Sequence, residues 1–120
     1  MARILIADDD VAYRKAFCDG LTVMGHQADG VPDGASALEA LKAADYDVVF
    51  LDVIMRGGGA ITLVHDVKVA FPDVKIVVIS GQPHIYDTPL FRDGFRFADA
   101  RLKKDASLQQ IHDTVQTCLQ

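Results

Sequence analysis

The chain has 120 residues, half of them apolar and spread along its whole length, enough for one domain with its own core and too many for a disordered segment. Twelve basic against 17 acidic side chains give a formal charge of −5, which argues against a nucleic-acid surface, because phosphate contacts need clustered Lys and Arg. No apolar run approaches the ~20 residues of a membrane span, and the N-terminus lacks a signal peptide's pattern, so the expected location is the cytoplasm.

Arg3–Ala7 is a short apolar run rich in strand formers. Tyr13, Phe17, Leu21 and Met24 follow at helical spacing, with Gly25 as a stop. Gln27–Val31 reads as a weak strand diluted by Asp29 and Gly30. Asp33 and Gly34 open a second helix with Leu38 and Leu41 on one face. Asp47–Leu51 is a strongly apolar strand, and Ile61, Val64, Val67 and Phe71 mark the helix after it, ended by Pro72-Asp73. Val74–Ile79 is another apolar strand. From Gly81 to Phe97 the pattern is least regular. Thr88-Pro89 reads there as an N-cap with proline at the first helical position, so the fourth helix starts late and is short. Ala98–Lys103 is the last strand. Ser107 and Gln110 form a capping box for a final helix striped by Leu108, Ile111, Val115, Cys118 and Leu119.

The order is a βα unit repeated five times in one domain, residues 1–120. Near-continuous apolar strands between amphipathic helices imply an α/β fold with a parallel sheet covered on both faces. Such sheets bind ligands at the carboxyl ends of their strands. There the sequence places Asp8-Asp9-Asp10, Asp52, Ser80-Gly81 and Lys103-Lys104. Carboxylates this close repel one another unless a cation joins them. A hard divalent ion suits oxygen ligands, and Mg²⁺ suits a site with few carboxylates and an incoming phosphate. Asp10 is also placed to cap the first helix. The chemistry that fits is phosphoryl transfer to the Asp52 carboxylate, with Ser80 and Lys104 holding phosphoryl oxygens. Cys18 and Cys118 have no metal-ligand spacing and read as reduced, buried thiols. His26, His65, His84 and His112 read as surface or satisfied histidines.

Four stretches, Ile4–Asp10, Asp47–Met55, Ile76–Gly81 and Ala98–Asp105, resemble the receiver domain of two-component response regulators, and the resemblance covers essentially the whole chain. It implies a doubly wound, flavodoxin-like (CheY-like) five-stranded parallel sheet of order 2-1-3-4-5. It also implies Asp52 as phospho-acceptor, Asp9 as direct Mg²⁺ ligand, Asp8 acting largely through water, and the Ile54 carbonyl as a further ligand. Ser80 and Lys104 would contact the phosphoryl group, Lys104 being preferred to Lys103 from the pattern at Ala98, Asp99 and Leu102. A histidine kinase or histidine phosphotransfer protein would donate, and a downstream effector protein or domain would read the switch. No nucleic acid or membrane is implied for this domain.

Departures from the family pattern fall at Arg56–Ala60, where Arg56 and Gly59 replace the usual proline and acid and three consecutive glycines are expected to loosen the loop. They also fall at Arg101, the position of the family's switch aromatic. Ile54 and Gln82 occupy positions that tune hydrolysis in the family, and an apolar Ile54 predicts a long-lived phospho-form. Two other readings compete. A pseudo-receiver adaptor would bind partners without phosphorylation, through a surface that includes Tyr86, Phe91, Phe95 and Phe97, although core packing is the alternative for at least two of these. A haloacid-dehalogenase-like phosphatase is loosely resembled by Asp8-x-Asp10, Ser80 and a later lysine, but it leaves Asp52 without a role. No effector domain follows within these residues, which leaves open a stand-alone regulator and a part of a longer chain.

Overall fold

A computed structural model describes residues 1–55 and 60–120. Its elements run β1 (Arg3–Ala7), α1 (Val11–Val23), β2 (Gln27–Val31), α2 (Gly34–Ala43), β3 (Val48–Asp52), α3 (Ala60–Ala70), β4 (Lys75–Ser80), a 3-10 turn (Pro83–Asp87), α4 (Pro89–Gly94), β5 (Ala100–Lys103) and α5 (Leu108–Cys118). All strand pairs are parallel and the sheet order is β2-β1-β3-β4-β5. The expected fold and strand order are therefore those observed.

The pleat sorts the core. Side chains alternate across a strand, so Ile4, Ile6, Val48, Phe50, Val77 and Ile79 pack on one face with Phe17 and Leu21 of α1 and Ile111 and Val115 of α5. Leu5, Val49, Leu51, Ile76 and Val78 face the other way, onto Ala37 and Leu41 of α2, Leu63, Val64 and Val67 of α3, and Phe95. Burial of both faces explains why the central strands lack polar alternation.

The ends of the helices follow from local chemistry. Asp10 caps α1 by accepting the Tyr13 N–H at 3.1 Å, and Asp33 caps α2 by accepting the Ser36 N–H at 2.8 Å. Gly25, at φ +92°, turns the chain from α1 into β2, a conformation that suits glycine. Ser107 and Gln110 form the reciprocal capping box, at 2.8 and 3.1 Å. Thr88 sits at the N-cap of α4, but its hydroxyl donates back to the Ile85 carbonyl at 2.9 Å and leaves the helix without a side-chain cap. With only six residues, α4 is as short as the late proline demands.

Three details differ from expectation. Both thiols are only partly buried, at the periphery of the α1–α5 core. On α2 the fully buried positions are Ala37 and Leu41, with Leu38 packed at the margin. Leu119 lies past the end of α5 and is exposed, because the helical stripe stops with Cys118.

Candidate functional site

In a 2-1-3-4-5 sheet the chain leaves β1 toward one edge and β3 toward the other, so a crevice opens between their carboxyl ends. The register pairs Ala7 with Leu51, which makes the next residues, Asp8 and Asp52, neighbours across the strands. Both carboxylates are buried, and Asp9 is partly buried beside them. Ligand oxygens of Asp8, Asp9 and Asp52 all lie within 4.8 Å of one another. The backbone fixes two of the three. Asp8 Oδ1 accepts the Asp10 N–H at 2.9 Å, and Asp52 Oδ1 accepts the Ile54 N–H at 3.3 Å.

From the other side of the crevice comes Lys104. Its backbone N–H donates to the Ser80 carbonyl at 2.8 Å, extending the β4–β5 ladder by one bond and aiming the side chain inward. The ammonium pairs with Asp8 Oδ2 at 2.8 Å and stands 3.5 Å from Asp52 Oδ2. Ser80 is buried, and its Oγ accepts the Gln82 N–H at 2.9 Å. A shallow cavity of about 260 Å³, lined by Ser80, Gly81, Lys103, Lys104 and Asp105, opens beside it.

Burial, then the neighbouring Asp8 carboxylate, push the Asp52 pKa up to about 6 against the opposing pull of Lys104. Burial also works against the Lys104 ammonium, but its contacts with Asp8 and Asp52 outweigh that and hold its pKa above the ordinary lysine value. Among the described residues the Asp8, Asp9 and Asp52 carboxylates meet the Lys104 ammonium here, and the carboxylate donors are all oxygen. Those residues fit a hard divalent cation.

Every sequence-predicted side chain of the site thus reaches one crevice, and Lys104 rather than Lys103 meets the carboxylates. Asp10 turns to α1 as its cap. The altered loop lies outside the described residues at 56–59. Arg101 is exposed on β5, as a guanidinium must be on this edge. Tyr86 donates its hydroxyl to the Leu102 carbonyl at 3.0 Å and packs against the core, with its pKa pushed up to about 12 chiefly by burial. Phe95 is fully buried and Phe91 stacks on it at 5.7 Å, so of the four candidate surface aromatics Phe97 alone is exposed.

Three contacts were not anticipated. Arg14 donates to the Asp8 carbonyl at 2.7 Å and so braces the end of β1. Tyr13 places its ring under the Lys104 ammonium, 4.7 Å from the centroid. Helical spacing marks Tyr13 only as apolar, since the partner comes from the far end of the chain. The same holds for His26 and His112, whose Nε2 and Nδ1 lie 2.8 Å apart.

The family model for the response regulator receiver domain matches residues 4–116. The receiver protein CpdR of Brucella abortus is 32% identical over 81 residues, 68% of each chain. The transcriptional regulator NtrC of Rhizobium meliloti is 35% identical over 81 residues, 68% of this chain but only 17% of NtrC. Among solved structures, the response regulator TrrA of Thermotoga maritima, crystallised with Mg²⁺ and BeF, superposes with a TM-score of 0.87 at 25% identity, covering 98% of this chain and 99% of TrrA. TrrA has also been solved in complex with the histidine kinase ThkA, with the same TM-score and full coverage of both chains. Sequence kinship from one end of the sheet to the other, on a shared topology, makes this chain a member of the receiver domain family of two-component response regulators.

Proposed function

We propose that residues 1–120 act as one phospho-receiver, with Asp52 as the acceptor, Asp8, Asp9, Asp52 and the Ile54 carbonyl holding Mg²⁺, and Ser80 and Lys104 contacting the phosphoryl oxygens. The observation that carries this reading is the paired burial of Asp8 and Asp52 at adjacent strand ends with one ammonium reaching both. A bound Mg²⁺ would neutralise charge on the transferring oxygens.

The chain's own residues supply position and charge. Asp52 presents an oxygen that forms the O–P bond as the P–N bond of a phosphohistidine breaks. The electron pair leaves with the imidazole nitrogen, which then takes a proton from water. Lys104 favours ionised Asp52 before transfer and pairs with the phosphoryl group after it. The Ser80 hydroxyl exchanges its Gln82 contact for a phosphoryl oxygen. Donor and reader are by this account a histidine kinase or histidine phosphotransfer protein and a downstream effector protein or domain, in the cytoplasm. Among the described residues no helix is long and apolar enough to cross a membrane. The domain serves as a switch, not as an enzyme that turns over a small substrate.

Intact-mass measurement after incubation with Mg²⁺ and acetyl phosphate tests the reading. One phosphoryl group is expected on the parent, and none on Asp52→Ala or with a chelator present. A full gain on Asp52→Ala would overturn the assignment. No gain from either acetyl phosphate or a phosphohistidine donor would favour the adaptor.

A further inference from the structure

The Lys104 ammonium has three N–H groups, and two of its neighbours are carboxylates that a divalent cation would also claim. Its third neighbour is the face of Tyr13, 4.7 Å from the ring centroid. The ring is held from behind. Tyr13 sits in the first turn of α1, where its N–H is tied to Asp10, and it contacts Phe17 at 6.2 Å. Phe17 in turn meets Phe50 of β3 edge-on at 4.8 Å. The aromatic platform is thus anchored to the core strand that ends in Asp52. Among the described residues the buried Tyr13 hydroxyl has no hydrogen-bond partner, and the residue meets Lys104 through its ring face.

We infer that Tyr13 is a positioning residue for phosphoryl transfer: its ring face holds the Lys104 ammonium in place while Asp8 and Asp52 exchange that ammonium for the cation. An ammonium over a ring face is attracted by the ring quadrupole, and most strongly where water is partly excluded. Lys104 is such a case, its side chain being 21% exposed. A carboxylate ligand would be captured by a divalent cation, whereas a ring face is not, so Tyr13 keeps the lysine near the phosphoryl oxygens at the moment its pair with Asp8 is weakened. The inference rests on Lys104 contacting the phosphoryl group.

The test is the rate of phosphorylation by acetyl phosphate at saturating Mg²⁺ in the parent, Tyr13→Phe, Tyr13→Leu, Lys104→Ala and the Tyr13→Leu/Lys104→Ala double variant. Tyr13→Leu is expected to slow the reaction roughly 3- to 30-fold, with Tyr13→Phe close to the parent. The double variant should be no slower than Lys104→Ala, because the ring acts through the lysine. Equal slowing by Tyr13→Leu in both backgrounds would reduce Tyr13 to a helix-packing residue and overturn the inference. A slow Lys104→Ala beside a fast Tyr13→Leu would overturn it alone, and an unimpaired Lys104→Ala would take the parent reading down as well. The parent's NMR spectrum provides a measurement that needs no variant to fold. The Lys104 ε-methylene protons should be shifted upfield by the ring current, and ordinary lysine shifts there would contradict the contact.

Discussion

His26 shows how a side chain without a role in the site still sets a physical property. Its Nδ1 accepts the Ala2 N–H at 3.1 Å, so that nitrogen is unprotonated, and Nε2–H is left to donate to His112 Nδ1. Burial, then His112 and the chain's amino terminus, lower the His26 pKa from its ordinary value. A histidine lowered in the folded state takes up its proton first in the unfolded chain, so stability falls as pH drops through the ordinary histidine range. Asp52, with its pKa raised to about 6, contributes the opposite sign in the same window, so the His26 contribution is read as a difference: between pH 7.5 and 5.5 the parent's unfolding temperature should fall relative to that of His26→Gln. An equal shift in both would remove His26 from the account. Ile54 carries a different prediction. It is 54% exposed at the rim of the crevice and offers no polar side-chain group to orient a hydrolytic water. The phospho-form should be long-lived, and Ile54→Asn should shorten its lifetime several-fold in a decay assay. An unchanged lifetime would mean that water is positioned elsewhere.

At the scale of elements, the apolar runs of β1, β3 and β4 announce themselves in the sequence because burial on both faces removes polar alternation. Residues 27–31 form the predicted weak strand, and Gly30 has a use there that composition does not reveal. A Cβ at Gly30 would stand 2.6 Å from Arg14 Cγ, so glycine lets the Arg14 stem cross β2 on its way to the Asp8 carbonyl. Gly30→Ala should destabilise the fold by about 1–3 kcal/mol, measured by denaturant unfolding. A neutral substitution would show that Arg14 can be rerouted. The carboxylates and Ser80 were legible because topology brings strand ends together, whereas Lys104 was told from Lys103 by the family pattern at Ala98, Asp99 and Leu102. Tyr13, Arg14 and the His26–His112 pair were not, because each depends on which side chain of a helix meets which partner across the core. Thr88 illustrates a local failure of the same kind, a residue in capping position whose hydroxyl turns back to Ile85.

Over the whole molecule, the sheet does two jobs with one edge. Its middle strands bury the core on both faces, and their carboxyl ends bring the buried carboxylates of Asp8 and Asp52 together, which raises the Asp52 pKa. Two buried carboxylates held beside the Lys104 ammonium carry a bias that cation binding and phosphorylation can shift, which is the physical requirement for a two-state switch. On the proposed reading this bias is released at one group, the Asp52 carboxylate. Borohydride trapping after phosphorylation with Mg²⁺ tests it most directly, because reduction of an aspartyl phosphate leaves homoserine at the acceptor position, readable by peptide mass spectrometry. Homoserine is expected at position 52 alone. Homoserine at position 8 instead would contradict it and favour phosphatase-type chemistry, and none at any position, with the fold intact, would favour a phosphorylation-independent adaptor.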